Sequence, residues 1–344
     1  MPQLIVLFGG RSDERQVSVA SAQNVVRILG RPLAWFWAPA GAIHDVSPDE
    51  LLAHHDPFDR DYFPSRPAVW PDLEQALDTL PVDDPVFLLA LHGGEGEDGT
   101  VQRMMERRGI AFTGSGSAAS AAAFDKARAK ELVAGVVPVA QSRIATTPDE
   151  VRIAAVEMLA RHSKIVLKPV AGGSSRGLFF AGRETDLEPI VEQIASAAVP
   201  YVVEQFVAGR ELTVGIADLG QGPFALPVIE IEVDPGFAFD YAGKYHGKGT
   251  REICPANIPD PIREEAQRVA LAAHNALGCE GYSRTDLIAA GSDVTFLEIN
   301  TLPGLTTSSL VPQQLRAAGI DMKTFLDAQS VLATRRRDAA TSKR

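Results

Sequence analysis

Glu298 and Asn300 stand two residues apart in FLEINTLPGLTTSSLVP (296–312), a run that breaks into a Pro-Gly loop rich in hydroxyls. Residues two apart in a strand share a face, so the acid and the amide would point the same way. The run GYSRTDLIAA offers Arg284 and Asp286 at the same spacing. With a turn at Gly291-Ser292 and a three-residue loop, Asp286 comes opposite Glu298 and Arg284 opposite Asn300. One face would then hold two carboxylates, an amide oxygen and a guanidinium. Oxygen ligands of this kind suit Mg²⁺, which completes its shell with phosphates and water. The same pattern also fits the polar outer face of an antiparallel sheet.

Magnesium in that place calls for phosphate ligands nearby. In KPVAGGSSRG (168–177), Lys168 is followed by a Gly-Ser loop whose N–H groups can approach phosphate oxygens. It is no Walker A loop, since GxxxxGK[ST] is absent. Lys126, near the start of a helix, is a second phosphate cation. YVVEQFVAGRE (201–211) offers a strand edge with Glu204 and Glu211, the kind of place where adenine meets backbone and a ribose meets a carboxylate. His92, in LHGGEGEDG (91–99), sits where an imidazole can hydrogen-bond a substrate; the acids that follow read equally as a solvent-facing loop. GSGSAA (114–119) matches GxGxxG/A but lacks the acid about 20 residues on, so Ala-rich packing explains it better than a dinucleotide.

These side chains need elements to hold them. LIVLF runs into Gly9-Gly10 and a helix over 13–29, with Ser12 as its N-cap. WFWAP is a second strand, PVFLLAL leads through a glycine loop to a helix from Thr100, and IAFTG precedes another helix. Strand, glycine loop and helix in alternation describe a doubly wound parallel sheet, with ligands at the carboxyl ends of its strands. Residues 41–82 read as an irregular insertion. From about Val137 the texture changes to strands KIVLKPV, LFFAG, YVVEQFV, ELTVGIADL and a long FALPVIEIEV, with a helix at 185–197. A polar, Gly-rich loop (237–256), a helix over 260–277, the hairpin and a helix over 322–333 complete the chain. RRRDAATSKR reads as a solvated, frayed tail.

A length of 344 residues allows two or three domains. The net charge of −11 argues against a general nucleic-acid or anionic-membrane binder. Cys254 and Cys279, the two cysteines, lie far apart and in no CxxC pair, as expected of free thiols in a reduced cytosolic protein. No run approaches the ~20 apolar residues of a membrane span, and the opening reads as a buried strand. The expectation is a soluble, cytoplasmic protein.

FGGRSDERQVS, LHGGEGEDGTVQ, FTGSG with FDK, KPVAGGSSRG, DYAGKYHGKGT with ICPA, GYSRTDL and FLEINTLPGLTTSSLVP, in this order, resemble the D-alanine:D-alanine ligases of the ATP-grasp superfamily. The resemblance runs from Leu4 to about Ala333. It implies an α/β and α+β architecture, an N-terminal doubly wound parallel sheet followed by a two-part ATP-grasp fold. The implied domains are 1–117, 118–211 (lid) and 212–334, with 335–344 as a basic flexible tail and ATP between the last two domains. The implied activity is ATP-dependent joining of two D-alanines for peptidoglycan, through an acyl phosphate and a tetrahedral intermediate. The implied assembly is a homodimer with no nucleic-acid or membrane partner.

By the same resemblance, Lys126 and Lys168 match phosphate-binding lysines. Glu204, Gln205 and Val207 match the edge that meets adenine, and Glu211 the ribose carboxylate. Asp286, Glu298 and Asn300 match the ligands of two Mg²⁺ ions, for which Mn²⁺ is an alternative. Arg284 matches the arginine that stabilises the intermediate, and the Gly304 N–H lies where the oxyanion is received. Ser309 and Leu310 match residues gripping the second substrate's carboxylate. His92 and Ser174 line the first subsite, and Lys244 and Tyr245 sit on a mobile loop that closes over it. The tyrosine favours an amine nucleophile. Gln16 is a departure: the family has Glu or Asp there, bonding the ammonium of the first D-alanine. Glu14, two helix positions away, would face elsewhere. That departure keeps open a ligase with a different amino-acid or hydroxy-acid pair.

Overall fold

The computed structural model describes residues 3–30, 32–173, 175–234 and 249–342. Its first sheet is built from β1 (Leu4–Gly9), β2 (Leu33–Trp37), β3 (Ile43–Val46), β4 (Val86–Leu89) and β5 (Ala111–Phe112) in the order β3-β2-β1-β4-β5. All pairs are parallel except β2 with β3. Continuous apolar runs such as Ile5–Phe8 are buried because helices cover both faces of a parallel sheet. α1 (Arg15–Leu29) follows β1, and α4 (Thr100–Arg107) follows β4.

The 41–82 stretch is not irregular. It adds the antiparallel edge strand β3 and two short helices, α2 (Pro48–Ala53) and α3 (Leu73–Asp78). Leu51, Tyr62, Leu73 and Leu77 enter the same core, and Trp70 packs on Trp35 with ring centroids 4.6 Å apart. Its apolar residues are scattered among Pro and Asp, so no period marks them along the chain.

The second sheet is antiparallel, in the order β6-β9-β7-β8: β6 (Ser142–Ala145), β7 (Ile165–Pro169), β8 (Phe179–Ala181) and β9 (Tyr201–Gln205). α7 (Pro148–Leu159) and α8 (Leu187–Ala197) cover it through Val151, Met158, Leu187 and Ile190. Before it come α5 (Ser117–Phe124) and α6 (Lys126–Val133), the latter capped by Asp125, whose carboxylate accepts from the N–H groups of Ala127 and Arg128.

The third sheet, also antiparallel, runs β13-β12-β10-β14-β15, with β11 on β10. The expected long strand at 224–233 is two strands, β11 (Pro223–Ala225) and β12 (Ile229–Val233), because Pro227 between them cannot donate to a ladder. β13 (Thr250–Ile253) pairs with β12, so the end of the expected polar loop is a strand. α9 (Asp260–Ala276) packs behind β10 (Arg210–Asp218), β14 (Tyr282–Ala290) and β15 (Asp293–Asn300).

α10 (Leu310–Ala317) and α11 (Met322–Thr341) close the chain. α11 extends well past Ala333, correcting the expectation of a frayed tail. Arg336 stacks 4.0 Å over the Phe112 ring, donates to the Phe112 and Gly114 carbonyls and pairs with Glu280, while Arg337 pairs with Asp84. The basic run is therefore held by partners from distant parts of the chain. No described helix is long and apolar enough to cross a membrane.

Candidate active site

The β14–β15 hairpin delivers the expected pairs, Arg284 with Asn300 and Asp286 with Glu298, by a different route. Its loop is two residues, Gly291-Ser292, not three; Gly291 takes φ +64°, as such turns require. The missing residue is made up by a bulge opposite Asp286 and Leu287, where Leu297 is the extra residue. Strict alternation would put Phe296 on the face of Glu298, but the bulge turns Phe296 into the core at 0% exposure.

On that face Arg284 grips Asp286 with two bonds, 2.9 and 2.8 Å, and Thr213 Oγ1 donates to the same carboxylate at 2.6 Å. Asn300 Oδ1 accepts from the Leu302 N–H at 2.7 Å. That bond orients the amide oxygen outward while leaving it a second lone pair. Two carboxylates and an oriented amide oxygen fit a hard oxygen-seeking cation such as Mg²⁺.

Beside the hairpin lies a cavity of about 510 Å³. Asp286 and Glu298 line it, together with Lys126, Lys168, Glu204, Gln205, Val207 and Glu211. Eight of the residues singled out from the sequence thus share one space. Lys126 Nζ lies 3.6 Å from Glu298 and donates to the Gly172 carbonyl, and its own N–H bonds the Val170 carbonyl. The Gly-Ser loop and the start of α6 are therefore stitched together. Lys168 Nζ sits 2.8 Å from Glu204, whose other oxygen takes Lys130. Burial pushes the Lys168 ammonium down to about 8, against the pull of Glu298. Leu178, Phe180, Phe206 and Val207 make the apolar end, where Lys164 Nζ lies over the Phe206 and Phe180 rings at 4.1 and 4.7 Å.

A smaller recess adjoins, lined by Glu97, Lys126, Gly172, Gly173, Glu298 and Asn300. His92, 6% exposed, stands next to it, with Nδ1 3.6 Å from Glu97 and Nε2 3.3 Å from Ser21 Oγ. Ser21 Oγ in turn accepts from the Leu305 N–H at 3.2 Å, tying His92 to the Pro-Gly loop. A side chain on Gly304 would meet Ser309 Oγ at 2.5 Å, so the loop needs glycine there. Ser309 Oγ accepts from the Thr306 N–H at 3.1 Å, and Leu310 is the first residue of α10. The N–H groups of that helix start present donors to an anion.

Gln16 is not among the residues that line the cavity or the recess. Its amide lies 3.4 Å from Asp61 on the outer side of α1. Glu14 lies against Gly93 and against Gly173, which lines the recess. α1 starts at Arg15, later than expected: the Ser12 hydroxyl donates to the His92 carbonyl at 2.5 Å and accepts from the Glu14 N–H at 3.0 Å, which holds 12–14 in a turn ahead of the helix. Glu14 is left in the loop, and a methyl group placed on Gly93 would lie 2.7 Å from Glu14 Oε2, one on Gly173 3.5 Å. The helical-spacing argument against Glu14 fails because Glu14 precedes the helix. Lys130 was also missed, though its signal was present: it stands four residues after Lys126, on the same helical face. Ser174, Lys244 and Tyr245 lie outside the described residues.

The sequence profile of "D-ala D-ala ligase N-terminus" matches residues 3–115, and that of "D-ala D-ala ligase C-terminus" matches 133–329. The chain belongs to the D-alanine:D-alanine ligase family. A D-alanine:D-alanine ligase of Syntrophobacter fumaroxidans is 37% identical over 337 residues, 95% of this chain and 96% of that one. One of Leptospira interrogans is 34% identical over 344 residues, covering 94% and 95%. Among solved structures, a D-Ala:D-Ser ligase of Enterococcus faecalis superposes with a TM-score of 0.83 at 28% identity, over 96% of this chain and 99% of that one. A Bacillus anthracis D-alanine:D-alanine ligase complexed with ATP gives 0.72 at 25%, over 98% and 99%. The two-lysine cavity, the carboxylate hairpin and the Pro-Gly loop thus lie in a chain of the D-alanine:D-alanine ligase family with its ATP-grasp fold.

Proposed function

We propose that this ligase condenses two D-alanine molecules to D-alanyl-D-alanine by way of an acyl phosphate. The observation that carries the reading is the single cavity in which two lysines and the carboxylates of the hairpin meet below an apolar slot. ATP would place its adenine in the slot against 204–207, its ribose at Glu211 and its phosphates toward Lys168, Lys126 and the Gly172-Gly173 backbone. Asp286, Glu298 and Asn300 would hold two Mg²⁺ ions, which when bound neutralise charge on the transferring phosphoryl group.

Glu14 would pair with the ammonium of the first D-alanine, in the recess beside His92. A carboxylate oxygen of that D-alanine would attack the terminal phosphorus of ATP, the bond from that phosphorus to the bridging oxygen breaking so that ADP leaves. Ser309 and the start of α10 would hold the carboxylate of the second D-alanine. Its amine, once neutral, attacks the acyl carbon; the tetrahedral intermediate collapses and inorganic phosphate departs. Arg284 and the Gly304 N–H would meet the negative charge of that intermediate, where preorganised donors contribute most. The roles of Ser174, Lys244 and Tyr245 rest on the family resemblance.

The case for a different first substrate rested on Gln16, and the Glu14 carboxylate beside Gly93 and Gly173 supplies an alternative partner for the ammonium. The reading also makes the enzyme a cytoplasmic homodimer, which sedimentation of the purified protein checks. Phosphate release from Mg-ATP tests the activity, with D-alanine run beside L-alanine, D-serine and D-lactate and the product weighed by mass spectrometry. Release with D-alanine, yielding the dipeptide, is expected; turnover only with another pair would move the function to a sister ligase.

A further inference from the structure

Three charged side chains lie buried together at the inner wall of the large cavity. Glu204, 3% exposed, is bridged by Lys168 on one carboxylate oxygen and by Lys130 on the other. Lys168 lines the cavity; Lys130 does not, and stands behind it, 4% exposed. Lys130 and Lys126 are four apart on α6, so one helix face sends one ammonium to Glu298 and the other to Glu204.

The charges decide what this arrangement does. Lys168 and Glu204 alone would form a neutral pair, and a lysine neutralised by its own neighbour has little attraction left for phosphate. With Lys130 added, the group carries one net positive charge in a place where screening by water is weak. We propose that Lys130 is a positioning residue for ATP: it takes up the charge of Glu204, so that this carboxylate does not cancel the charge Lys168 presents to the phosphates. The carboxylate also holds Lys168 in place, since each of its oxygens is committed to one ammonium. Burial works against this need, pushing Lys130 down to about 6 and Lys168 to about 8 while Glu298 pulls both up, so the contact with Glu204 is what must keep Lys130 charged. The proposal rests on the reading that ATP phosphates lie at Lys168.

Equilibrium binding of Mg-ATP and of adenosine to the full-length enzyme tests it. Lys130→Met is expected to weaken ATP roughly tenfold or more, the size of a lost charge-assisted contact, and to leave adenosine within about twofold. Lys130→Arg, which keeps the charge, is expected to bind ATP within about threefold of the parent. If Lys130→Met does not fold, Lys130→Gln carries the same expectation. Unchanged ATP affinity would overturn the proposal, and so would equal losses for ATP and adenosine, the mark of a merely structural residue. Lys168→Met separates this from the site reading. If that variant binds ATP normally, the placement of phosphates is wrong; if it weakens ATP and Lys130→Met does not, only the role of Lys130 falls.

Discussion

The hairpin at 282–300 and the loop before α1 both serve the reaction centre, yet they differ in how far the chain alone reveals them. In the hairpin, Arg284, Asp286, Glu298 and Asn300 share a face because a strand repeats every two residues. The pairing survived a wrong loop length, since a shorter turn and a bulge cancel. At 12–16 the family resemblance singled out Gln16 and helical spacing set Glu14 aside, whereas Glu14 lies against Gly93 and Gly173 and Gln16 near Asp61. A strand's period is local, whereas the first residue of a helix depends on what its cap touches. Here the Ser12 hydroxyl is engaged by a carbonyl eighty positions away in the chain.

Breaking the hairpin should have the largest effect. Arg284→Met is expected to lower kcat about a hundredfold to a thousandfold, the usual loss for one charge-stabilising donor, with the KM for ATP little changed. Steady-state kinetics with D-alanine checks this. At the N-terminal loop the contrast sharpens between neighbours. Glu14→Gln should raise the first-site KM about tenfold by removing an ionic partner, while Gln16→Glu should change it by less than about twofold. Tightening by Gln16→Glu would restore the discarded assignment.

Lys168 offers a subtler probe of the cavity between these two regions. Its ammonium, lowered to about 8 by burial, is charged below that pH and loses the proton above it. kcat/KM for ATP should therefore fall as pH rises through about 8, and Lys168→Arg should flatten the decline because a guanidinium stays charged. The unfolded chain keeps that lysine protonated to about 10.4, so it binds more protons than the native state between the two values. By that sign, this group alone makes stability rise with pH across the same window. The smallest catalytic effect belongs to Arg336, whose partners are Phe112, Gly114 and Glu280. Arg336→Ala should leave kcat unchanged while costing about 1–3 kcal/mol of stability, read as a lower midpoint in urea, through loss of its stacking and carbonyl contacts.

Most of the candidate site was legible because its parts sit on strands or on glycine loops directly after them. Lys168, Glu204, Glu211, Asp286 and Glu298 stand at fixed places on such elements, and the structure brings them to one cavity. Lys130 and Lys164 were passed over because a lysine in a polar run looks solvated until its surroundings are known. The 41–82 stretch and the basic end were misread for a related reason. Their order comes from Trp35, Phe112, Glu280 and Asp84, partners with no signature in the segments themselves.

The amino-acid sequence alone determined the alternation of strands, glycine loops and helices, the face that carries the carboxylates, and the motifs that mark the family. Those properties follow from short-range periodicity and residue chemistry, which act over a few residues. Only the tertiary structure decided that Glu14 packs against Gly93 and Gly173, that Glu204 is shared by two lysines, and that the last helix is clamped to the first sheet. Each of these is an electrostatic or packing contact between segments distant in the chain, and its energy exists only once folding has brought the partners together.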